Sequence, residues 1–296
     1  MKKTINGLLK LTRFNEYVYF VIFTTLLGIA TAGGELDLRF IIVLLANWLA
    51  VGFAFMFNDA EDAPDDALSD HRMHRNPVSA GMLTPRAAHT TSITAAALAT
   101  ALYATLGWLP FFLGLFCLLL GYIYSYRDIR LKNIALFDLL SHCLMLAGLQ
   151  TLTGYFAFQD RINAKLLFPF LFVVSISAYG KLSNEIYDFE ADKRSLLRHT
   201  AIALGKKRAQ LLMMFLLYLG IICGAISLFF LEIIPLWVMI LMGVLAAIFS
   251  IPVLLKLQKS SASQEIQTPL YKTLERAAAL GLLMQFMIPW FLQFLK

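Results

Sequence analysis

Charge is what this sequence has least of. Only 15% of its 296 residues are Asp, Glu, Lys or Arg, against about 25% in an ordinary soluble domain. The deficit runs along the whole length, and 59% of the chain is hydrophobic, which excludes a large soluble core and makes the chain a polytopic membrane protein. Cysteine is scarce too. Cys117, Cys143 and Cys223 each sit in an apolar run without paired spacing, which excludes a disulfide framework and a redox or zinc pair. Five scattered histidines, His71, His74, His89, His142 and His199, show no zinc spacing, and no acid at a fixed distance completes a nucleophilic triad. The opening MKKTINGLLKLTRFNEY has no small-residue cleavage site after a short apolar core, so it reads as a retained amphipathic lead-in rather than a leader. Arg13 and Asn15 there read first as interface markers, with a place in the lining of the cavity as the other reading. The net charge of +6 invites a nucleic-acid reading, but the basic residues fall between apolar runs, where topology explains them. Membrane lipid is the partner, not nucleic acid.

What is present is apolar length. Windows long enough to span fall at about 14–32, 38–57, 87–107, 109–126, 134–157, 166–186, 210–230, 232–255 and 276–295. The expected fold is therefore all-α, nine transmembrane helices around a central cavity with helical loops on the cytoplasmic side, in a single domain 1–296. With the N-terminus inside, twenty Lys and Arg residues fall on inner segments and four outside (Arg39, Arg161, Lys165, Lys296), with Lys181 uncounted. That bias places the inner ends of the second and sixth helices at the cytoplasmic face of the inner membrane.

Those two ends carry the unusual residues. FMFNDAEDAPDD contains Asn58, Asp62 and Asp66, and LSNEIYDFEADKR repeats the pattern as Asn184, Asp188 and Asp192. Spacing of four stacks the three side chains of each copy on one helix face. Both copies continue alike, through basic residues to Gly81 or Gly205 and an Arg-Ala step at Arg86-Ala87 or Arg208-Ala209. The pattern implies an internal duplication, with halves at about 38–130 and 166–256, and folds built from such repeats often bind ligand between the halves.

An Asp at mid-bilayer costs about 2.5–3.5 kcal/mol and less near the surface, so positive charge has to compensate. Neighbouring Lys and Arg are one source. The other is a hard cation such as Mg²⁺, which prefers oxygen ligands and is commonly shared between carboxylates and a substrate phosphate. The matched repeat, with Asn in both copies, favours a diphosphate gripped through bridging metal. Between the copies, LGYIYSYRDIRLKN brings Tyr124, Ser125, Arg127, Arg130 and Lys132 to the same surface. Arg130 and Lys132 come first, ahead of Arg127, as cations for a leaving diphosphate. Lys181, one turn before Asn184, reads as the neutraliser of Glu185.

At these residues the chain resembles the UbiA superfamily of intramembrane prenyltransferases, over nearly its whole length. The family has nine transmembrane helices and two aspartate-rich motifs, after the second and sixth; here they read NDAEDAPDD and NEIYDFEAD. The resemblance implies that Asp62, Asp66, Asp188 and Asp192 hold Mg²⁺, with Asn58 and Asn184 in support. It further implies that Arg130 and Lys132 act on the diphosphate and that Tyr124, Arg72, Arg75, Lys193 and Arg198 line the substrate site. One departure is visible. The family commonly shows Arg-Pro and then Gly after the first motif, whereas here the order is Arg75-Asn76-Pro77, then Gly81. Arg198 and Thr200 match the basic residue and Thr that often follow the second.

The implied reaction is electrophilic alkylation: an allylic polyprenyl diphosphate loses diphosphate, and its carbocation is captured by an acceptor in an apolar cavity. A hydrophobic or aromatic acceptor, a quinone precursor by family frequency, is the first expectation. A glycerol-phosphate lipid, a carotenoid or a phosphoribosyl-type substrate fits the same diphosphate site. The competing class is a non-catalytic ion transporter whose acidic helix ends form a path.

Overall fold

A computed structural model describes residues 2–68, 70–194, 198–257 and 267–294; Lys259, Lys296 and the last position of the 276–295 window lie outside them. All regular structure among these residues is helical. The architecture is built on α3 (Leu38–Asp66), the most buried of the candidate spans. Asp37 starts it by accepting from Phe40 N at 3.1 Å, an N-cap that satisfies one orphan amide. Twenty-nine residues make roughly 43 Å of helix, more than the about 30 Å hydrocarbon layer needs, so the Asn58–Asp66 end extends past it. The first acidic copy is thus continuous with the span.

Among the described residues, six helical stretches are long and apolar enough to cross a membrane: Lys3–Thr31, Leu38–Asp66, Trp108–Ser125, Ala164–Tyr187, Lys206–Phe230 and Leu236–Leu255. The other three expected windows fall on α5 (Pro85–Ala104), on α7 (Phe137–Cys143) with α8 (Leu149–Phe156), and on α14 (Gln267–Phe294), which do not meet that length and composition. The first stretch is divided at Arg13, whose φ of 46° separates α1 (Lys2–Thr12) from α2 (Phe14–Thr31). Residues 144–148 between α7 and α8 wind as a π-turn. There the carbonyl of Met145 accepts from the Gln150 side chain at 2.9 Å.

α5 packs along α3, α2 along α8, and α9 (Leu167–Tyr187) along α12 (Lys206–Ala225), while α13 (Leu236–Leu257) pairs with α14, which also touches α2. Outward faces stay apolar. Ile240, Val244, Ile248 and Ile251 on α13, and Leu211, Phe215 and Ile222 on α12, are exposed in rows that suit contact with lipid tails. Because lipid is as apolar as leucine, close packing and polar contacts hold such helices together. The polar contact here is Asn47, fully buried on α3. Its Nδ2 donates to Thr25 Oγ1 (2.8 Å) and to the Gln150 carbonyl (3.1 Å), and its Oδ1 accepts from Tyr103 (2.6 Å) and Thr153 (2.9 Å). That joins α2, α3, α5 and α8 and uses the amide's full capacity. At about 0.6 kcal/mol per bond in a membrane setting, Asn47→Leu is expected to lower unfolding free energy by about 2 kcal/mol. The shift is read as a lower melting temperature in detergent.

The second acidic copy is not one helix, in contrast to the expectation from sequence. α9 stops at Tyr187, and α10 (Phe189–Arg194) begins after Asp188, whose φ of −83° and ψ of 1° leave the helical region. The spacing survives the break, because Asp188 N still bonds Asn184 O (3.0 Å) and Asp192 N bonds Asp188 O (2.9 Å). The opposite end of the bundle holds a separate open cavity of about 650 Å³ between Ala30–Gly33, Gln159, Arg161–Lys165 and Leu231–Ile233.

Candidate functional site

The first copy meets the loop that follows α6 (Trp108–Ser125). Lys132 Nζ donates to both Asp62 oxygens (2.5 Å each) and to Asn58 Oδ1 (2.9 Å), which also accepts from Ser125 Oγ (2.9 Å). Arg130 Nη2 reaches Asp62 (2.9 Å) and Asp65 (2.5 Å). Arg130 holds a left-handed backbone, φ 50°, which a branched-free but non-glycine residue adopts at a cost of about 1 kcal/mol or more. That turn is what aims two cations at one carboxylate. Burial presses the Lys132 ammonium below its ordinary pKa, although Asp62 pulls the other way. Arg127 takes an outer place, its Nε on the Glu61 carbonyl (3.1 Å) and Nη2 3.8 Å from Asp65.

The second copy is tied to the first by α4 (Asp70–Arg75), whose Arg72 comes within 3.7 Å of Asp192. Behind Asp192 lies a buried cluster. His199 Nε2 is 3.0 Å from Asp192 and its Nδ1 3.2 Å from Glu185, while Lys181 pairs with Glu185 at 3.0 Å. Thr200 donates its backbone N–H (2.7 Å) and its hydroxyl to Asp138 on α7, and Ala201 N donates to Glu185 (3.2 Å). Burial disfavours a charged His199, but Glu185 and Asp192 outweigh it and raise the imidazole pKa. Asp138, Glu185 and His199 have the atoms to ligate a cation. The backbone N–H groups of Thr200 and Ala201 tie Asp138 and Glu185 to residues 199–201, however, so the cluster reads as a clasp fastening that segment to α7 and α9.

Do the acidic ends fit a divalent cation? Their donors are oxygens, the set that Mg²⁺ takes. Asp188 is exposed and has no ion-pair partner within 4.0 Å among the described residues. Partial burial and the neighbouring Asp192 push its carboxyl above the ordinary range, so it is an anion short of positive charge. The residues fit the ion.

Among the sequence-derived candidates, Asn58, Asp62, Arg130 and Lys132 form one contact group, and Arg72 joins Asp192. Asp66 is held by Asn76 (3.0 Å). Tyr124 and Asn58 line a small cavity of about 140 Å³ with Arg13, His142, Ala54, Phe55, Met145 and Leu146. Asn184 is exposed at the end of α9. Arg75 points elsewhere, onto Glu16 at 2.8 Å. Lys193 and Arg198 are exposed, without an ion-pair partner among the described residues. Lys181 neutralises Glu185, in line with the sequence reading. Arg13 is no mere interface marker: it pairs with buried Asp59 (3.1 Å) and Glu16 (2.6 Å). Asn76 and His199 went unassigned by sequence reasoning. The inserted Asn before Pro77 was the one available signal for the first, and nothing in the spacing singled out the second.

A sequence profile of the UbiA prenyltransferase family matches residues 21–271. A comparison with curated proteins gives no match. Among solved structures, a UbiA homologue from Archaeoglobus fulgidus bound to GPP and Mg²⁺ is 20% identical, with a TM-score of 0.65 over 93% of this chain and 99% of that one. A structure of digeranylgeranylglyceryl phosphate synthase is 18% identical, with a TM-score of 0.66 over 95% and 99%. An apo UbiA homologue from Aeropyrum pernix K1 is 15% identical, with a TM-score of 0.68 over 90% and 97%. At these identities the likeness is one of fold.

Proposed function

The chain belongs to the UbiA prenyltransferase family, and from that premise we propose that it moves an isoprenyl group from an allylic polyprenyl diphosphate to an acceptor within the membrane, releasing diphosphate. The observation that carries the reading is the convergence of Lys132 and Arg130 on Asp62 while Arg72 reaches Asp192 of the other copy. Two acidic ends and three cations so placed suit a ligand that brings both metal and phosphate. Similar folds have been solved with GPP or DMAPP and Mg²⁺.

In this reading Asp62, Asp66, Asp188 and Asp192 hold Mg²⁺, with Asn58 and Asn184 in support. Bound there, Mg²⁺ supplies Lewis-acid stabilisation of the departing diphosphate. Arg130 and Lys132 carry hydrogen-bond donors to the same oxygens, and Arg72 adds charge from the side of the second copy. The Tyr124 cavity, walled by Phe55, Met145 and Leu146, shields the allylic carbon from water until the acceptor attacks. Nine spans, a cytoplasmic-side site and two related halves, about 38–130 and 166–256, complete the proposal. The positive φ of both Gly81 (62°) and Gly205 (78°), at matched places, supports the duplication.

The acceptor we favour is an aromatic quinone precursor. A glycerol-phosphate lipid is the second reading, supported by the fold shared with digeranylgeranylglyceryl phosphate synthase. With geranylgeranyl diphosphate as donor and an extract of membrane lipids supplying the acceptor, purified protein is expected to transfer the isoprenyl group and release diphosphate in the presence of Mg²⁺, fall to background in EDTA and recover when Mg²⁺ is restored. Release insensitive to chelation would remove the metal from the scheme, and no release from any allylic diphosphate would favour the transporter class. Mass spectrometry of membrane lipids with and without the protein assigns the acceptor: whole isoprene increments appear on a ring compound in the first reading and on a phosphoglycerol lipid in the second.

A further inference from the structure

Asp66 and Asp192 close their respective copies, and each is gripped by one side chain from the segment that follows it. For Asp66 the grip is Asn76, 2% exposed. Its Nδ2 donates to Asp66 Oδ2 (3.0 Å) and to the Asp59 carbonyl (2.7 Å), while its Oδ1 accepts from Val78 N (2.9 Å) and Ser79 N (3.4 Å). Every bond fixes the amide's orientation, because a flip would set an oxygen against the carboxylate and leave two amides facing an NH₂ group. Ser79 adds a bond from its hydroxyl to the Ala63 carbonyl (2.7 Å), pinning the loop to the last turn of α3.

For Asp192 the grip is His199, 6% exposed. One ring nitrogen meets Asp192 Oδ2 and the other faces Glu185, which Lys181 and Ala201 N hold in turn. The ring therefore stands between a fixed carboxylate and Asp192, hydrogen-bonded to Asp192 and in charge-pair contact with Glu185. Different residue types perform one task, ten positions after Asp66 and seven after Asp192, each directly following an Arg.

We propose that Asn76 and His199 are paired positioning residues, each setting the carboxylate orientation of the last aspartate of its copy for binding of Mg²⁺ and diphosphate. The inference rests on the reading of Asp66 and Asp192 as metal ligands. It also gives a physical meaning to the departure Arg75-Asn76-Pro77: the residue between Arg and Pro holds the metal ligand, while Arg75 turns away to Glu16. Carboxylates that ligate metals are commonly oriented by such partners, whose loss costs about 10–100-fold in metal affinity.

The test is thermal melting of the detergent-purified full chain against Mg²⁺ concentration at fixed inorganic diphosphate. Wild type is expected to show a saturable rise. Asn76→Ala and His199→Phe should raise the half-saturating Mg²⁺ about 10–100-fold. His199→Gln, whose amide can still donate to Asp192, should recover most of the affinity. Asn76→Ser is the milder variant if Asn76→Ala does not fold: its hydroxyl can accept from Val78 N but is too short to reach Asp66, so weakened Mg²⁺ binding is expected there too. Lower melting temperatures with an unchanged half-saturating Mg²⁺ would overturn the positioning role and leave these residues as loop fastenings. A wild type without any Mg²⁺-dependent rise would instead overturn the metal reading on which the proposal stands.

Discussion

Asp62→Ala should cut diphosphate release by about 10³-fold or more, a loss of about 4 kcal/mol of transition-state stabilisation. The size follows from what converges on that carboxylate. Lys132 contacts both of its oxygens and Arg130 a third direction, so removing Asp62 takes away a proposed metal ligand and the anchor of two cations together. Lys132 would be left with Asn58 as its remaining near partner, at a stability cost of about 1–3 kcal/mol, so melting should be measured alongside turnover. Asp188→Ala is expected to match the loss of release with little loss of stability, since Asp188 has no ion-pair partner to strand among the described residues. Release within tenfold of wild type in both variants would sink the assignment of the two copies to one diphosphate.

Gly28→Leu should be the most damaging substitution away from the site. A Cβ at position 28 would lie 2.1 Å from the Thr151 carbonyl oxygen, and one at Gly154 would lie 2.4 Å from the Thr25 carbonyl oxygen. The two helices therefore cross backbone against backbone, each lending the other its missing side chain, as small residues allow in membrane bundles. Forcing them apart would also break the Thr151 hydroxyl bond to the Thr24 carbonyl (3.1 Å) and pull Thr25, Gln150 and Thr153 off Asn47. We expect a loss of about 4 kcal/mol or more and aggregation on size exclusion in detergent, with Gly28→Ala intermediate. A monodisperse Gly28→Leu protein with an unchanged melting temperature would show that α2 and α8 do not meet this closely.

The parts legible in the sequence are those set by periodicity and length. Asn58, Asp62 and Asp66 share a face because α3 runs unbroken past the apolar layer, and the boundaries of α2 and α5 follow from where the apolar runs stop. The approach of Lys132 and Arg130 to Asp62 was readable as chemistry, a cation for an anion, but their aim depends on the left-handed Arg130, which no propensity favours. The break at Asp188 hides behind intact four-residue spacing. Asn76, His199 and the Asp138–Thr200 contact were illegible for another reason: the first two lie ten and seven positions from the aspartates they hold, across a loop with no fixed period, and the third spans 62 positions, so these polar partners are chosen by tertiary packing rather than local pattern. For Arg13 the second of its two readings holds, since it lines the Tyr124 cavity, but its pairing with Asp59, 46 positions away, was hidden on the same ground.

The π-turn at 144–148 has a consequence for how such a catalyst can diverge. It carries one residue more than regular winding needs, and Met145 and Leu146 within it form part of the wall around Tyr124. Because the wide turn absorbs that residue, loss of a single codon there would restore ordinary winding with Asp138 and His142 kept close to their present face, and would change chiefly the wall that Met145 and Leu146 provide. Substrate range in this scaffold is therefore open to change by insertion and deletion, without any exchange of side chains at the acidic ends.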